Sequence, residues 1–228
     1  MKVSLRLLTA QIVGMFVVFA LVLFLAAGTF AWPAGWAFLA LFFGSTVALS
    51  LWLLNHNPGL LTERMTGVGK SDQKAWDKVF FVLANVLFLS WLVLMPLDAV
   101  RFHWSQMPEW LQVVGAILFM CSWVLFFLTF RENSYLSPAV RVQTDRGQSV
   151  VSTGPYHYVR HPMYAAFIAF MLGTNLLLGS WYGLLPGLAL VVGVAGRAIL
   201  EERTLRAELH GYDAYMAQVK YRLIPFVW

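Results

Sequence analysis

The stretch that decides the fold is PMYAAFIAFMLGTNLLLGSWYGLLPGLALVVGVAGRAIL, residues 162–200. It contains two apolar runs that meet at Gly179 and Ser180, and each run is close to the roughly 20 residues that a helix needs to cross the hydrocarbon core of a bilayer. Backbone groups inside lipid must be satisfied within their own segment, so both runs are predicted to be helices. The sequence therefore predicts a transmembrane helical hairpin over 162–179 and 181–200, with a tight turn between its arms.

The rest of the chain shows the same apolar character. Of its 228 residues, 60% are hydrophobic and 12% are charged, and the mean hydropathy is +0.69, a balance that a water-soluble globule of this size could not cover with polar surface. Four further apolar runs precede the hairpin, at 7–28, 34–54, 79–97 and 110–130. The first is longer than the core of a signal peptide and no clear small-residue cleavage site follows it, so we interpret it as a span. The predicted fold class is an all-α polytopic integral membrane protein with about six transmembrane helices, or alternatively five.

The distribution of positive charge predicts the orientation. If both termini are cytoplasmic, fifteen of the sixteen Lys and Arg residues lie on the cytoplasmic side and Arg101 alone lies outside. This is the positive-inside pattern of membrane proteins. We therefore expect an integral protein of a bacterial inner membrane with cytoplasmic N and C termini. Topology and contact with membrane lipids account for the net charge of +5, so no nucleic-acid partner is predicted.

The connections on the predicted outer side are short, so function is expected on the cytoplasmic side. We expect one integrated domain with two parts. The N-terminal part, 1–109, has three spans and a cytoplasmic loop at 55–78, where the small and polar stretch 67–71 precedes a return to helix near Asp77. The second part, 110–228, has a loop at 131–161, the hairpin at 162–200, an amphipathic helix at 200–220 that is interrupted at Gly211, and an irregular tail at 221–228 that packs back on the protein.

The most polar stretch beside a span is GPYHYVRHPMY, residues 154–164. Pro162 fits the first turn of a helix, where no amide donor is needed, and this places Arg160 and His161 at the mouth of the helix. His161 and Tyr164 are three residues apart and share a helix face. A helix N-terminus beside an arginine suits an anionic group such as a carboxylate or phosphate. The alternative interpretation is that Arg160 contacts lipid headgroups while His161 and Tyr164 only cap the interface.

Two adjacent carboxylates, Glu201 and Glu202, follow Arg197 where the last span reaches the cytoplasm. Carboxylates at membrane depth are costly and normally have partners or a role. Arg197 and Glu201 are four residues apart on one helix face, so a salt bridge between them would explain one acid and leave Glu202 without a partner on its own helix. Because the hairpin turns on the outer side, its two ends return to the same level. His161 and Tyr164 are therefore predicted to face Glu201 or Glu202.

The sequence lacks the motifs that would indicate several other kinds of site. The five histidines have no metal-ligand spacing and Cys121 is the single cysteine, so no metal site is predicted. The sequence has no glycine-rich nucleotide-binding motif of the soluble folds. A transporter would be expected to carry charges inside its spans or to repeat one half in the other, and neither feature is present. The alternatives from other classes are a non-enzymatic transport or complex subunit and an NADPH-dependent membrane reductase.

The stretch 154–164, the EExxL run at 201–205 and the GYxxY run at 211–215, ahead of Ile224 and Pro225, together resemble the isoprenylcysteine carboxyl methyltransferase family and its relatives among membrane phospholipid methyltransferases. The resemblance covers about 110–228 and lies in the common order and spacing of short motifs. The NPGLLxER run at 57–64 also resembles bacterial members of this group, whereas the first two spans carry no signature. One departure is Ala166, where many relatives have glycine.

The resemblance implies a methyltransferase that binds S-adenosylmethionine from the cytosol between the last helices, with a lipophilic small-molecule acceptor that arrives from the bilayer. It makes 110–228 the catalytic core and 131–161 its cofactor loop. The implied cofactor-binding residues, at positions that match the motifs or lie along the edge of the site, are Arg160, His161, Pro162, Tyr164, Glu201, Glu202, Val151, Gly154 and Tyr156.

The methyl acceptor is left open by the sequence. A prenylcysteine-like or other lipophilic carboxylate is favoured, and a phospholipid amine and a small thiol are the alternatives. A carboxylate needs no general base, because the transfer is an in-line displacement that depends on alignment. Arg197 is the candidate to hold such a carboxylate, and its alternative role is the salt bridge to Glu201. A thiol would have to be deprotonated, and His161 and His157 are the candidate bases.

Overall fold

The computed structural model describes residues 3–66 and 73–228, and over these residues it is helical and has no strand. The predicted all-α class is confirmed. The α-helices are α1 (Leu5–Ala27), α2 (Pro33–His56), α3 (Pro58–Thr66), α4 (Ala75–Pro96), α5 (Glu109–Glu132), α6 (Pro162–Leu178), α7 (Leu184–Glu208) and α8 (Tyr212–Gln218). A π-helical segment, Leu97–Phe102, continues α4, and 3₁₀ turns lie at Thr144–Arg146 and Gly154–His157.

Five of the described helices are long and apolar enough to cross a membrane, namely α1, α2, α4 with its π-helical continuation, α5 and α7. Helix α6 is also apolar but has 17 residues, or about 25 Å at 1.5 Å per residue, less than the hydrocarbon core of about 30 Å. Most of its side chains are buried, and it contacts α2, α4, α5 and α7. The polytopic fold is confirmed, and the predicted fifth span is the short central helix of the bundle.

The closest helix packing in the bundle lies between α5 and α6. A Cβ atom on Gly115 would lie 2.3 Å from the backbone nitrogen of Leu177, and one on Gly173 would lie 2.6 Å from the backbone nitrogen of Phe119. Only glycine permits two backbones to approach so closely. This contact fixes α6 against α5 and thereby positions the residues at the N-terminal end of α6.

The predicted hairpin is confirmed with a shifted boundary. Helix α6 ends at Leu178, and Gly179 takes a φ of 79°, the left-handed conformation in which glycine is unstrained. The second arm begins at Leu184 rather than at 181 and continues to Glu208 rather than to 200. The two arms therefore return to the same end of the bundle, as the sequence predicted.

The segment 55–78 was predicted to be a loop, and the structure corrects this. Helix α3 begins at Pro58, whose missing amide costs nothing in a first turn, and the Asn57 side-chain oxygen accepts a hydrogen bond from the Leu60 amide at 3.1 Å. The following α4 covers 75–96 and its continuation extends to 102, instead of the predicted 79–97. The predicted small and polar stretch at 67–71 lies outside the described residues.

The predicted interruption of the 200–220 helix at Gly211 is confirmed. Helix α7 ends at Glu208, and Gly211, with a φ of 84°, precedes the separate helix α8. The predicted return of the tail is confirmed, because the backbone amides of Arg160 and His161 donate to the carbonyls of Tyr221 and Arg222, each at 2.9 Å. We call this end of the bundle, formed by α3, residues 133–161, the N-terminal end of α6, and α8 with the tail, the site end.

Candidate functional site

A cavity with polar walls, here named the polar cavity, opens at the site end between residues 133–151, α6, α7 and α8. Its empty space, counted out to the open mouth and so including solvent, is about 820 Å³. The predicted site residues in its lining are Val151, Tyr156, Arg160, His161, Pro162, Tyr164, Arg197 and Glu201. Gly154 and Glu202 are not in the lining.

The hairpin brings the two predicted pairs of residues together. Tyr164 donates its hydroxyl to the carboxylate of Glu201 at 2.5 Å, and Nε2 of His161 lies 3.3 Å from the carboxylate of Glu202. The imidazole of His161 stacks on the ring of Tyr164, with 5.4 Å between ring centres and 10° between ring planes. The predicted proximity is confirmed, and the role of these residues in binding a cofactor remains a prediction.

Glu202 lies behind the wall of the polar cavity, and its side chain is almost fully buried. Its Oε1 accepts from Nε of Arg160 at 2.6 Å, and its Oε2 accepts from Nε of Arg222 at 2.8 Å. Arg160 also donates through Nη1 to the carbonyls of Val219 and Lys220, each at 2.7 Å. The Arg160–Glu202 ion pair therefore attaches the C-terminal tail to the N-terminal end of α6, and Glu202 has partners that its own helix could not provide.

Arg197 does not form the salt bridge to Glu201 that was its alternative role. Its Nε donates to Oδ1 of Asp77 at 2.8 Å, its Nη2 donates to the carbonyl of Pro138 at 2.6 Å, and its Nη1 donates to the hydroxyl of Tyr164. All three nitrogens of the guanidinium thus have protein partners. This alternative is not found because Asp77, a buried carboxylate on another helix, pairs with the arginine, and the predicted binding of an acceptor carboxylate by Arg197 stays a prediction. The hydroxyl of Tyr164 is held between Arg197 and Glu201.

Asp77 is a site residue that the sequence reasoning missed. It is fully buried in the first turn of α4, and its Oδ2 accepts from the side chain of Gln73 and from the amide of Val140, both at 2.9 Å. Asp77 and Arg197 are 120 residues apart. Spacing along the sequence therefore could not predict this pair. In the sequence, Asp77 was recognisable only as one of the polar residues at the start of a helix.

Tyr156 anchors the edge of the polar cavity. Its hydroxyl accepts from the side chain of Asn133, and its carbonyl accepts from the hydroxyl of Tyr215, both at 2.8 Å. Burial raises the pKa of Tyr156 above its ordinary value, so its hydroxyl stays protonated. These contacts join residues 133–156 to α8 across the cavity.

Glycine is required at position 154 by the backbone conformation and the close packing there, and not by contact with the polar cavity. Its φ is 56°, and a Cβ atom there would lie 2.5 Å from Cγ of Glu132. Thr153 donates to the carboxylate of the same glutamate at 2.8 Å. The turn that precedes Tyr156 is thus packed against the end of α5. The predicted contact of Gly154 with a cofactor remains a prediction.

A second cavity, here named the aromatic cavity, lies between α2, α3, α4, α5 and α6, and its empty space, including the open solvent at its mouth, is about 950 Å³. Met163 lines both cavities, so they meet at the first turn of α6. The charged residue in the lining of the aromatic cavity is Arg64. Half of its lining residues are aromatic, and these include Phe42, Trp123, Phe126, Phe130, Phe167 and Phe170.

Two buried side-chain atoms in the described part of the chain lack a hydrogen-bond partner: the hydroxyl of Tyr212 and Nε1 of Trp123. Tyr212 lines the polar cavity and Trp123 lines the aromatic cavity. Burial raises the pKa of Tyr212, so its hydroxyl remains a donor. Buried polar groups are normally paired in folded proteins, so each unpaired atom marks a position that a bound ligand can satisfy.

The histidines of the motif differ in their surroundings. His157 is exposed on a 3₁₀ turn and is not in the lining of the polar cavity, whereas His161 is buried in that lining. Over the residues that the structure describes, no three His, Cys, Asp or Glu side chains are grouped to hold a metal ion.

The fold and the site define a polytopic membrane protein with a polar cavity at the end of a helical hairpin. Residues 110–211 match the family model described as phospholipid methyltransferase. Over residues 110–211 the predicted resemblance to the membrane methyltransferases, which include the isoprenylcysteine carboxyl and phospholipid methyltransferases, is thereby confirmed. No curated protein matches the chain. The matched region contains α6, α7 and nearly all of α5, and it excludes α1 to α4 and α8.

Proposed function

We propose that the protein uses S-adenosylmethionine to methylate a lipophilic acceptor at the membrane. The observation that carries this proposal is the junction of the polar and aromatic cavities at Met163. The methyl donor is polar and charged, whereas an acceptor with a hydrocarbon body is apolar. Each of the two cavities suits one of these molecules, and their meeting point would bring the reacting atoms together.

The side chains of the polar cavity fit S-adenosylmethionine by their chemistry. The carboxylate of Glu201 can accept from the ammonium group or the ribose hydroxyls, and the unpaired hydroxyl of Tyr212 can donate to the cofactor. The ring of His161 offers a flat surface to the adenine. When bound, the cofactor supplies a methyl group: the acceptor atom bonds to the methyl carbon while the carbon–sulfur bond breaks and its electron pair stays on sulfur.

The side chains around the polar cavity are held in place by hydrogen bonds within the protein before a ligand binds. The Tyr164 hydroxyl, fixed by Arg197, donates to Glu201 and thereby orients its carboxylate. Arg160 and Glu202 fix the backbone at the start of α6 through the C-terminal tail. Groups that are already ordered lose little conformational entropy when a ligand binds. The chain thus provides alignment, which is the main requirement of an in-line displacement.

For the acceptor we favour the carboxylate of a prenylcysteine-like or other lipophilic molecule, because this group reacts without a base. A phospholipid amine is the second candidate, and the description of the matched family favours it. A small thiol would need His161 as its base, since His157 is not at the cavity.

We further propose that the site end faces the cytoplasm of a bacterial cell. Arg160 and Arg197 lie at the site end, whereas Arg101 donates to the carbonyl of Leu25 near the far end of α1. The excess of cations at the site end supports this orientation.

Cofactor binding is the first test. The protein, purified in phosphatidylcholine nanodiscs, is titrated with S-adenosylmethionine and with NADPH by calorimetry. We expect binding of S-adenosylmethionine alone, and weaker binding by Glu201→Gln. Arg206→Gln is the matched control, because Arg206 forms an exposed ion pair with Asp213 away from the cavity. Binding of NADPH in place of S-adenosylmethionine would refute the proposal and favour a reductase.

The acceptor is identified by transfer of a labelled methyl group. The same nanodiscs are supplied with labelled S-adenosylmethionine and, in separate reactions, with a prenylcysteine, phosphatidylethanolamine or a small thiol. Label is expected in the lipophilic carboxylate. Label in phosphatidylethanolamine would select the second candidate, and label in the thiol would select the third.

A further inference from the structure

The arginines near the two cavities differ in how well they are paired. Arg197 and Arg160 each have a buried carboxylate partner and further carbonyl partners. Arg64 has two long contacts, both from Nη1: the carbonyl of Leu136 at 3.4 Å and the sulfur of Met163 at 4.0 Å. Over the described residues, Nε and Nη2 of Arg64 have no hydrogen-bond partner, and no carboxylate forms an ion pair with this arginine.

The neighbouring acid is turned toward a different arginine. Glu63 is buried and accepts from Ser137 and from Nε and Nη2 of Arg141. The guanidinium of Arg64 lies instead against an aromatic ring, with its central carbon 4.9 Å from the centre of the Phe130 ring. A cation–π contact stabilises a charge less than a buried ion pair does. Arg64 therefore retains hydrogen-bonding capacity toward the aromatic cavity.

The surroundings of Arg64 leave its charge uncompensated. Burial lowers the pKa of Arg64 to about 10, and the nearby charge of Arg197 lowers it in the same direction. The guanidinium is still positively charged at neutral pH. An anion beside it would offset the cost of removing this charge from water.

The position of Arg64 is at the meeting point of the cavities. It lines the aromatic cavity and contacts Met163, which lines both. The aromatic cavity extends from this point along α2 between residues 42 and 53, a length of about 16 Å at the helical rise per residue. A molecule with a hydrocarbon body inside this cavity and its head at Arg64 would present that head to the polar cavity.

We propose that Arg64 binds the anionic group of the methyl acceptor, and that the acceptor is an acidic amphiphile with a carboxylate or phosphate on a hydrocarbon body. The guanidinium fork matches both anions, since each can accept two parallel hydrogen bonds. The identification of this ligand as the acceptor rests on the proposed function. Arg197, whose three nitrogens are occupied, positions Tyr164 and does not bind the acceptor.

The two anions have different consequences for release of the product. If the carboxylate is itself methylated, its charge is lost and the ester is held less tightly by Arg64. If a phosphate flanks a methylated amine, the phosphate keeps its charge and Arg64 holds substrate and product alike. The same residue thus has a different effect on product affinity in the two reactions.

The test compares charged and neutral amphiphiles of equal length. Nanodiscs with and without the protein are equilibrated with labelled dodecanoate, methyl dodecanoate or dodecyl phosphate, and binding to empty discs is subtracted. The variants are Arg64→Gln, Arg64→Lys and the surface control Arg206→Gln. Binding of S-adenosylmethionine is measured on the same samples by calorimetry, and thermal unfolding confirms that each variant is folded.

We expect both anions to bind the wild-type protein at least about tenfold more tightly than the methyl ester, because truncating a buried charge pair costs at least that factor. Arg64→Gln should lose this preference while methyl ester and S-adenosylmethionine affinities stay within about twofold. Arg64→Lys should retain part of the preference, since it keeps the charge without the fork. Arg206→Gln should match the wild type.

Three results would overturn the proposal. Equal affinity of the wild-type protein for acid and ester would show that no cation recognises the charge of the head group. If Arg64→Gln lost affinity for the anions and for the methyl ester equally, and Arg64→Lys did not restore the preference for the anions, the role of Arg64 would be packing. A selective loss of S-adenosylmethionine would assign it to the cofactor. If S-adenosylmethionine does not bind the wild-type protein, the proposed function fails, and the dodecanoate and dodecyl phosphate data still decide whether Arg64 is an anion site.

Discussion

Arg197 on α7 and Asp77 on α4 form a buried ion pair, with Nε and Oδ1 2.8 Å apart and exposed side-chain fractions of 6% and 0%. The carboxylate of Asp77 also accepts from the backbone of Val140, so this one side chain connects α7, α4 and the segment that precedes residues 154–164. The pair therefore holds the wall of the polar cavity against the bundle, and its removal should affect folding more than ligand binding.

Asp77→Asn should lower the free energy of unfolding by about 3–5 kcal/mol, because it leaves Arg197 buried without a compensating charge. The measurement is unfolding by SDS titration in mixed micelles. Lys74→Gln is the control, since Lys74 pairs with Glu208 at 2.6 Å on the surface, where loss of an ion pair costs about 1 kcal/mol or less. If Asp77→Asn kept its stability but the protein bound the acceptor more weakly, the result would indicate that Arg197 binds the acceptor.

The hairpin residues show what the sequence could predict. The turn at Gly179 and the two apolar arms fix the topology, and topology alone brings His161 and Tyr164 to Glu201 and Glu202. The salt bridge within α7, the alternative role of Arg197, does not form, because an exposed pair four residues apart contributes only about 0.3–0.5 kcal/mol, far less than a buried charge requires.

The residues that the sequence did not reveal come from outside the hairpin. Asp77 and Arg64 belong to α4 and α3, before the matched region 110–211, and although Arg64 ends the NPGLLxER run, that resemblance implied no role for it. Their distances to Arg197 and Met163 arise from packing between helices, and no periodicity along one helix encodes them. The boundary of α3 was missed for a similar reason: Pro58 was interpreted as part of a turn, although it also fits the start of a helix.

The two adjacent glutamates should respond differently to neutralisation. Glu201 lines the polar cavity with a side chain that is 25% exposed, whereas Glu202 is enclosed by Arg160, His161 and Arg222. Glu201→Gln should weaken binding of S-adenosylmethionine about tenfold or more, since a charge-assisted hydrogen bond is replaced by a neutral one. Its thermal unfolding should change little. Calorimetry measures the first quantity.

Glu202→Gln should instead destabilise the fold by about 3 kcal/mol, because two buried or half-buried arginines lose their shared anion. Limited proteolysis should then cut the C-terminal tail more readily, since Arg160 attaches that tail through Glu202. Equal effects of both substitutions on cofactor affinity, with intact tails, would contradict this division of roles.

Tyr212 and Tyr215 provide a matched pair on α8. The hydroxyl of Tyr212 has no partner, whereas that of Tyr215 donates to the carbonyl of Tyr156 at 2.8 Å. Tyr212→Phe should leave stability unchanged or slightly raised, because it removes a buried donor that is unpaired without ligand. It should weaken S-adenosylmethionine binding by about three- to tenfold if the hydroxyl pairs with the cofactor.

Tyr215→Phe should show the reverse pattern. It leaves a buried carbonyl unpaired, which costs about 1–3 kcal/mol of stability, and it should change cofactor affinity little. Thermal unfolding and calorimetry on both variants test the pair together. A loss of stability in Tyr212→Phe equal to that in Tyr215→Phe would show that the Tyr212 hydroxyl is already paired in the free protein.

Gly154→Ala tests whether the turn before Tyr156 depends on close packing or only on backbone conformation. Gly154 and Gly147 both have positive φ, 56° and 64°, but a Cβ atom at Gly154 would meet Glu132 at 2.5 Å, whereas nothing lies within 4 Å of one at Gly147. Gly147→Ala should therefore cost only the strain of a left-handed alanine, about 1–2 kcal/mol. Gly154→Ala should cost more, because the turn must also move away from Glu132, and it should weaken cofactor binding as Tyr156 shifts with it. Equal costs in thermal unfolding would show that Glu132 can move aside freely, and the turn would then be held by its hydrogen bonds alone.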